Sequence, residues 1–221
     1  MNDAVSLRSL LLDVGGHCTN DLFSDAVTCE VGNIDCAELQ ERLSRALESK
    51  GLRGIVESNF VEFGCGTLRS GTAAGLSLHQ EGYESRCPPQ LLFLYCVESD
   101  HSSGNTTVAS TLALLGPRYR KAVDNTCIRF FRTSTGLWTP WRPILQEDDR
   151  GPSVRFAFPD VHRTVASRGA IPCDVIADEI AKSQLRVEWK PGLLLAVNNL
   201  LTLHGRDPFM GTARRLFRLT N

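Results

Sequence analysis

"GLSLHQEGYES", Gly75 to Ser85, carries a histidine, one spacer and a glutamate at its centre: His79, Gln80 and Glu81. Leu76, Leu78 and the small residues around them read as a short strand leading into this motif. Residues i and i+2 of a strand share a face, so His79 and Glu81 would present an imidazole and a carboxylate side by side. A divalent metal suits that arrangement. With 5 histidines and 25 acidic residues in the chain, such a pair also arises from composition alone, so its meaning depends on what other segments bring to it.

The chain of 221 residues is long enough for one substantial core, and the expectation is a single domain over residues 1–221. Formal net charge is -1, with 24 Lys and Arg against 25 Asp and Glu. No basic stripe is interleaved with aromatic residues, which argues against nucleic acid and for a small-molecule substrate. The opening "MNDAVSLRSLLLDVGG" has an acid at Asp3 and only a short apolar run, matching neither a signal peptide nor a membrane span. Eight cysteines are scattered without a Cys-x-x-Cys pair. This predicts reduced thiols in a cytoplasmic protein, with no disulfide scaffold and no structural zinc site. The oligomeric state stays open.

Leu39, Leu43, Ala46 and Leu47 recur at helical spacing, which predicts a helix from about Cys36 to Lys50, stopped by Gly51. "LRGIVES" (52–58) reads as a strand, and "PPQLLFLYCVES" (88–99) as a buried strand bounded by turn residues. "TVASTLALLGPRYRKAV" (107–123) reads as helical, broken at Gly116-Pro117. Alternating aromatic or branched residues with Arg and Thr in 127–158 suggest one or two strands joined by a mobile loop. A short helix around Asp174 to Lys182 precedes "LRVEWKPGLLLAVNN", and "RRLFRLT" (214–220) closes the chain as a strand. Strands outnumber helices and lie on both sides of helical insertions, so a β-sandwich or barrel decorated with helices fits better than a repeating βαβ order.

If His79 and Glu81 bind a metal, a third ligand has to come from another strand. His17 sits in a Gly-rich N-terminal loop, His101 in the polar run "ESDHSSGNTT", and His162 in a loop after a strand. His204 follows "LLLAVNNLLTL", an apolar strand and turn that would carry it inward. Two histidines and one carboxylate on a rigid barrel make a facial triad, the usual ligand set of non-haem Fe(II) oxygenases.

Taken together, "LHQEGY", "SSGNTTVAS", "NNLLTLHGRDPF" and "RRLFRL" resemble the taurine dioxygenase (TauD/TfdA) and clavaminate synthase-like family of Fe(II)- and 2-oxoglutarate-dependent oxygenases. The resemblance runs from about Leu76 to the C-terminus. It implies a mainly β fold, a double-stranded β-helix (jelly-roll, cupin-like) core decorated by α-helices. It also implies an enzyme that uses Fe(II), O2 and 2-oxoglutarate and releases succinate and CO2 as it oxidises a small molecule, by default through hydroxylation. By this resemblance His79, Glu81 and His204 would hold the iron, and Thr106 and Arg214 would take the distal carboxylate of 2-oxoglutarate. Arg218 would lie near the cosubstrate or the primary substrate. Glu81 is the acid of the clavaminate branch, which points to an amino acid or a related biosynthetic intermediate as substrate.

Residue types and register agree with these roles. A planar arginine fork matches a carboxylate bidentately, and a threonine hydroxyl can add a further bond. In a strand, Arg214, Leu216 and Arg218 share one face while Arg215 and Phe217 share the other. Tyr83, Arg86, Trp138 and Trp141 are candidates for the substrate pocket. Arg206 is another, with a salt bridge to Asp207 or another acid as its structural alternative. Many family members are longer, with segments that cover the site, so the resemblance also raises a trimmed lid or a covering partner. The alternative class is a catalytically inactive jelly-roll module that binds a small molecule. A thiol hydrolase is disfavoured because no cysteine lies in a recognisable nucleophile context.

Overall fold

A computed structural model describes residues 6–62, 75–99, 104–132, 135–160, 163–208 and 214–221. His101, His162 and Cys65 lie outside the described residues. The chain opens with α1 (Leu7–Asp13), β1 (His17–Phe23), β2 (Ala26–Glu30), α2 (Cys36–Ser49) and β3 (Glu57–Glu62). Asp35 caps α2 by accepting hydrogen bonds from the amides of Ala37 and Glu38, and Leu39, Leu43 and Leu47 line the buried face of that helix. Next come β4 (Leu76–His79), β5 (Leu91–Ser99), β6 (Thr106–Ser110), a 3-10 turn at Leu112–Leu115, α3 (Arg120–Asp124) and β7 (Thr126–Arg132). Short strands β8 (Leu137–Trp138), β9 (Arg142–Pro143), β10 (Leu145–Asp148), β11 (Gly151–Val154) and β12 (Arg163–Gly169) lead to α4 (Cys173–Ala181). The last strands are β13 (Leu185–Val187), β14 (Leu193–Asn198), β15 (Thr202–Arg206) and β16 (Arg214–Thr220).

Two antiparallel sheets form the frame: a large one in the order β1-β2-β14-β5-β16-β3, and a small one in the order β13-β6-β15-β4. Side chains that alternate along β5 and β14 explain why both strands read as continuous apolar runs. Phe93, Tyr95, Leu194 and Ala196 point to a core shared with Leu10, Leu11 and Leu43 of α1 and α2. Leu92, Leu94, Leu193 and Leu195 point the other way, to an inner core shared with Val108 of β6 and Val187 of β13. The outer face of the small sheet, through Leu78, Ala109 and Leu203, packs on Ile128 and Phe130 of β7 and on Ile176 and Ile180 of α4. Two facing sheets around an inner core, with helices outside, make the double-stranded β-helix that the sequence implies.

Three local expectations change. The start of the stretch read as helical, residues 107–110, forms with Thr106 the strand β6, with every residue buried; Val108 enters the inner core and Ala109 the outer one. Apolar periodicity cannot separate a strand buried on both faces from a buried helix, whereas the β-branched residues Thr106, Thr107 and Val108 favour the strand. The strand read at 52–58 lies further on, at Glu57–Glu62, where its partner is β16. The segment 127–158 holds not one or two strands but β7 to β11, three of them with β12 in a separate sheet and two in a hairpin. All seven described cysteines are free thiols. Among the described residues no helix is long and apolar enough to cross a membrane.

Phe93 is fully buried where α1 and α2 meet the large sheet. Phe93→Ala should lower stability by about 3 to 5 kcal/mol through lost burial and the cavity left behind, measured as a shift in the urea unfolding midpoint.

Candidate active site

Antiparallel pairing of β15 with β4 sets His204 opposite His79, with ring centroids 4.4 Å apart. Glu81 follows β4 by two residues. One ligand atom from each of His79, Glu81 and His204 lies within 4.8 Å of the others. The His79 Nδ1 stands 2.9 Å from the Ser77 carbonyl. A carbonyl only accepts, so Nδ1 carries the proton and Nε2 keeps its lone pair, the form of imidazole that binds a metal. Burial, the neighbouring His204 and the charge of Arg163 pull the His79 pKa down to about 3, which keeps the ring neutral near pH 7. The His204 Nδ1 is buried and has no hydrogen-bond partner among the described residues, while its Nε2 is the nitrogen turned toward Glu81. Two neutral-capable imidazoles and a carboxylate with unfilled valences fit a divalent transition metal.

Glu81 is held from several sides. Its Oε2 lies 3.0 Å from the Arg218 Nη1 and 3.6 Å from the His204 Nε2. Burial opposes ionisation of this carboxyl, but the hydrogen bond and charge of His204, with Arg218, outweigh burial and hold it below the usual carboxylate range. Its backbone is clamped by Asn199, which is fully buried. The Glu81 amide donates to the Asn199 Oδ1 at 2.8 Å, and the Asn199 Nδ2 donates back to the Glu81 carbonyl at 3.0 Å and to the Pro89 carbonyl at 2.8 Å. Gln80, between the two ligand candidates, is also fully buried and donates to Ser153 and to the Asn199 carbonyl. Gly82 then turns the chain away with a φ of 66°, in the left-handed region that a side chain disfavours.

A second cluster lies along the same inward-facing row. Arg206 is paired with Thr106 across β15 and β6, and Arg214 reaches from β16 to donate from Nη2 to the Thr106 Oγ1 at 3.2 Å. Thr106, Arg206 and Arg214 are all buried. Burial and the nearby charge of Arg206 pull the Arg214 pKa down to about 9. The Asp207 carboxylate pairs with Arg186 at 3.1 Å and accepts from Thr107. On β16 the inward and outward faces separate as register requires. Arg214 meets Thr106 and Arg218 meets Glu81, while the Arg215 guanidinium covers the Phe60 ring at 4.1 Å and Phe60 packs on Phe217.

Of the substrate-pocket candidates, Tyr83 is beside the metal cluster, its ring 6.3 Å from that of His79, packed on Phe130 at 4.6 Å and under the Arg163 guanidinium. Buried Arg155 holds this loop by donating to the carbonyls of Tyr83 and Ser85, and it also donates to Gln146. Arg86 is exposed. Trp138 and Trp141 sandwich the Arg129 guanidinium at 4.3 and 4.5 Å, and the Trp138 ring is 39% exposed; their described contacts do not include the metal cluster. Sequence reasoning missed Gln80, Asn199, Arg155 and Trp189, whose indole bonds Thr106. The only sequence signal among them was the "NN" that contains Asn199.

Solved structures with this fold include an asparagine oxygenase in complex with Fe(II), 2S,3S-3-hydroxyasparagine and succinate, at a TM-score of 0.61 and 19% identity over 82% of this chain and 64% of that one. The chain therefore spans less than two thirds of the length of that protein. The non-heme iron oxygenase OrfP matches at a TM-score of 0.63 and 14% identity, over 89% of this chain and 75% of that one. The PvcB protein from Pseudomonas aeruginosa matches at 0.53 and 21%, over 81% and 70%. No curated protein matches this chain in sequence. Residues 174–220, which carry His204, Arg206, Arg214 and Arg218, match the model of the taurine catabolism dioxygenase TauD, TfdA family. The C-terminal part of the chain is thus similar in sequence to this family, and the fold as a whole is that of the oxygenase structures.

The approach of β15 to β4 depends on Gly205. A Cβ there would stand 2.6 Å from the Leu76 carbonyl oxygen and 3.0 Å from the Leu78 amide nitrogen. Both are backbone atoms that cannot swing aside. Gly205→Ala should push β4 off β15 and spread His79 from His204. The expected outcome is at least tenfold weaker binding of Co(II), a spectroscopic substitute for iron, in a chain that still unfolds cooperatively.

Proposed function

We propose that the chain is an Fe(II)- and 2-oxoglutarate-dependent oxygenase, acting as one domain over residues 1–221, that hydroxylates an amino acid or a related small molecule. The observation that carries this reading is the convergence of the His79, Glu81 and His204 ligand atoms within 4.8 Å, on the barrel face that also carries the buried Thr106 and Arg214 pair. The fold neighbours support it: one holds Fe(II), hydroxyasparagine and succinate, another Fe and alpha-ketoglutaric acid, and a mutant of the latter (3S)-hydroxy-L-Arg. Bound iron would supply dioxygen activation coupled to decarboxylation of the 2-oxo acid to succinate and CO2.

The protein groups prepare that chemistry. His79, Glu81 and His204 take the metal with one negative charge and two neutral donors. Ser77 fixes the His79 tautomer, and Asn199 and Gln80 fix the backbone between the two ligands of the loop. Arg214 and Thr106 take the distal carboxylate of 2-oxoglutarate. Arg206 adds positive potential beside them, and Arg218 orients the Glu81 carboxylate. Tyr83, held by Arg155 and packed between Phe130 and Arg163, forms the wall that the substrate meets.

His204→Ala should abolish Fe(II)-dependent succinate production while leaving the chain folded; full activity in that variant overturns the metal assignment. Arg214→Ala should weaken 2-oxoglutarate binding about 30-fold to several thousand-fold, the range for removing one partner of a buried charge pair. Arg214→Lys should recover part of it, because a point charge cannot replace the planar fork. Arg215→Ala, on the outer face, should leave it unchanged. Binding is read from the absorption of the Fe(II) chelate under anaerobic conditions. A screen of amino acids for succinate formation above the uncoupled background identifies the substrate.

A further inference from the structure

We infer that Trp189 is a positioning residue for the 2-oxo acid: its indole N–H turns the Thr106 hydroxyl into an obligatory donor aimed at the cosubstrate carboxylate. The inference rests on the cosubstrate reading given above and assigns a role to a residue outside it. Trp189 lies between β13 and β14, two residues beyond Val187, which pairs with Thr106. Its ring packs on the inner core, and its Nε1 donates to the Thr106 Oγ1 at 2.9 Å. The Arg214 Nη2 donates to the same oxygen at 3.2 Å.

The count of lone pairs does the rest. A threonine hydroxyl has two lone pairs and one hydrogen. Indole and guanidinium are donors only, so no tautomer or rotamer choice can reverse these two bonds. With both lone pairs occupied, the oxygen cannot accept from a third group, and its hydrogen is left to donate. An incoming carboxylate oxygen accepts that hydrogen, whereas an amide N–H or an ammonium in the same place would meet a hydrogen instead of a lone pair. Trp189 thereby selects an acid at this end of the cosubstrate, and it does so without touching the acid.

The test is a double-mutant cycle on 2-oxoglutarate affinity, measured anaerobically with Fe(II), together with Fe(II) affinity and thermal unfolding. Trp189→Phe keeps a ring in the core and removes the N–H. It should weaken 2-oxoglutarate binding about 5- to 15-fold, the scale of one lost hydrogen bond, with Fe(II) affinity unchanged. In a Thr106→Val background the same substitution should cost less than about twofold, since no hydroxyl remains to orient. Equal losses in the two backgrounds would make Trp189 a packing residue and overturn the inference. Loss in Thr106→Val and Arg214→Ala with none in Trp189→Phe would overturn it while leaving the cosubstrate reading intact. No loss in any of the three would overturn both. Chains that retain the indole give a second readout that does not depend on how Trp189→Phe folds. Thr106→Val should speed solvent exchange of the Trp189 indole N–H seen by NMR, and Thr106→Ser should not; unchanged exchange in Thr106→Val overturns the inference.

Discussion

The contact on which the site depends is backbone against backbone: β15 lies so close to β4 that no Cβ fits between them at Gly205. That approach sets His204 opposite His79. It also fixes the rest of the inward row, because residues two apart on β15 share a face and Arg206 therefore follows His204 toward the interior. His204 and Arg206 are thus spaced by the rise of a strand, about 3.3 Å per residue, with no loop deciding their separation. Sites built this way hold their geometry better than sites on loops.

Glu81 is the exception, since it lies past the end of β4, and the fold compensates for it. The Asn199 side chain acts as a further strand there, pairing with the Glu81 amide and carbonyl as a backbone would. Gln80 plugs the gap behind it. Removing water from this loop without such partners would leave buried peptide groups unsatisfied, at a cost of about 1 to 3 kcal/mol each. Arg218 of β16, in the large sheet, then pairs with the carboxylate.

Positive charge is concentrated at the other end of the row. Arg206 and Arg214 are buried within electrostatic reach of one another. Thr106 and Trp189 add two neutral groups whose hydrogen bonds are directional. On the proposed reading, charge there attracts the cosubstrate's carboxylate and the neutral donors decide how it sits.

The sequence by itself brought out the candidate residues and their sidedness. His79 and Glu81 two apart, an apolar strand ahead of His204, and alternation along 214–218 were enough to choose these residues and the face each occupies, because strand alternation is a local property with period 2. Helix α2 was legible for the same reason, its spacing and its cap being local. Tertiary structure decided what distance in sequence conceals. Strand β6 is buried on both faces, so its apolar pattern in the sequence reads as a helix, and only enclosure by the two sheets makes it a strand. Asn199 and Gln80 meet across 119 positions, and Trp189 meets Thr106 across 83. A neutral polar residue carries no pattern that announces such a partner; only the closing of the barrel brings its donors and acceptors into register.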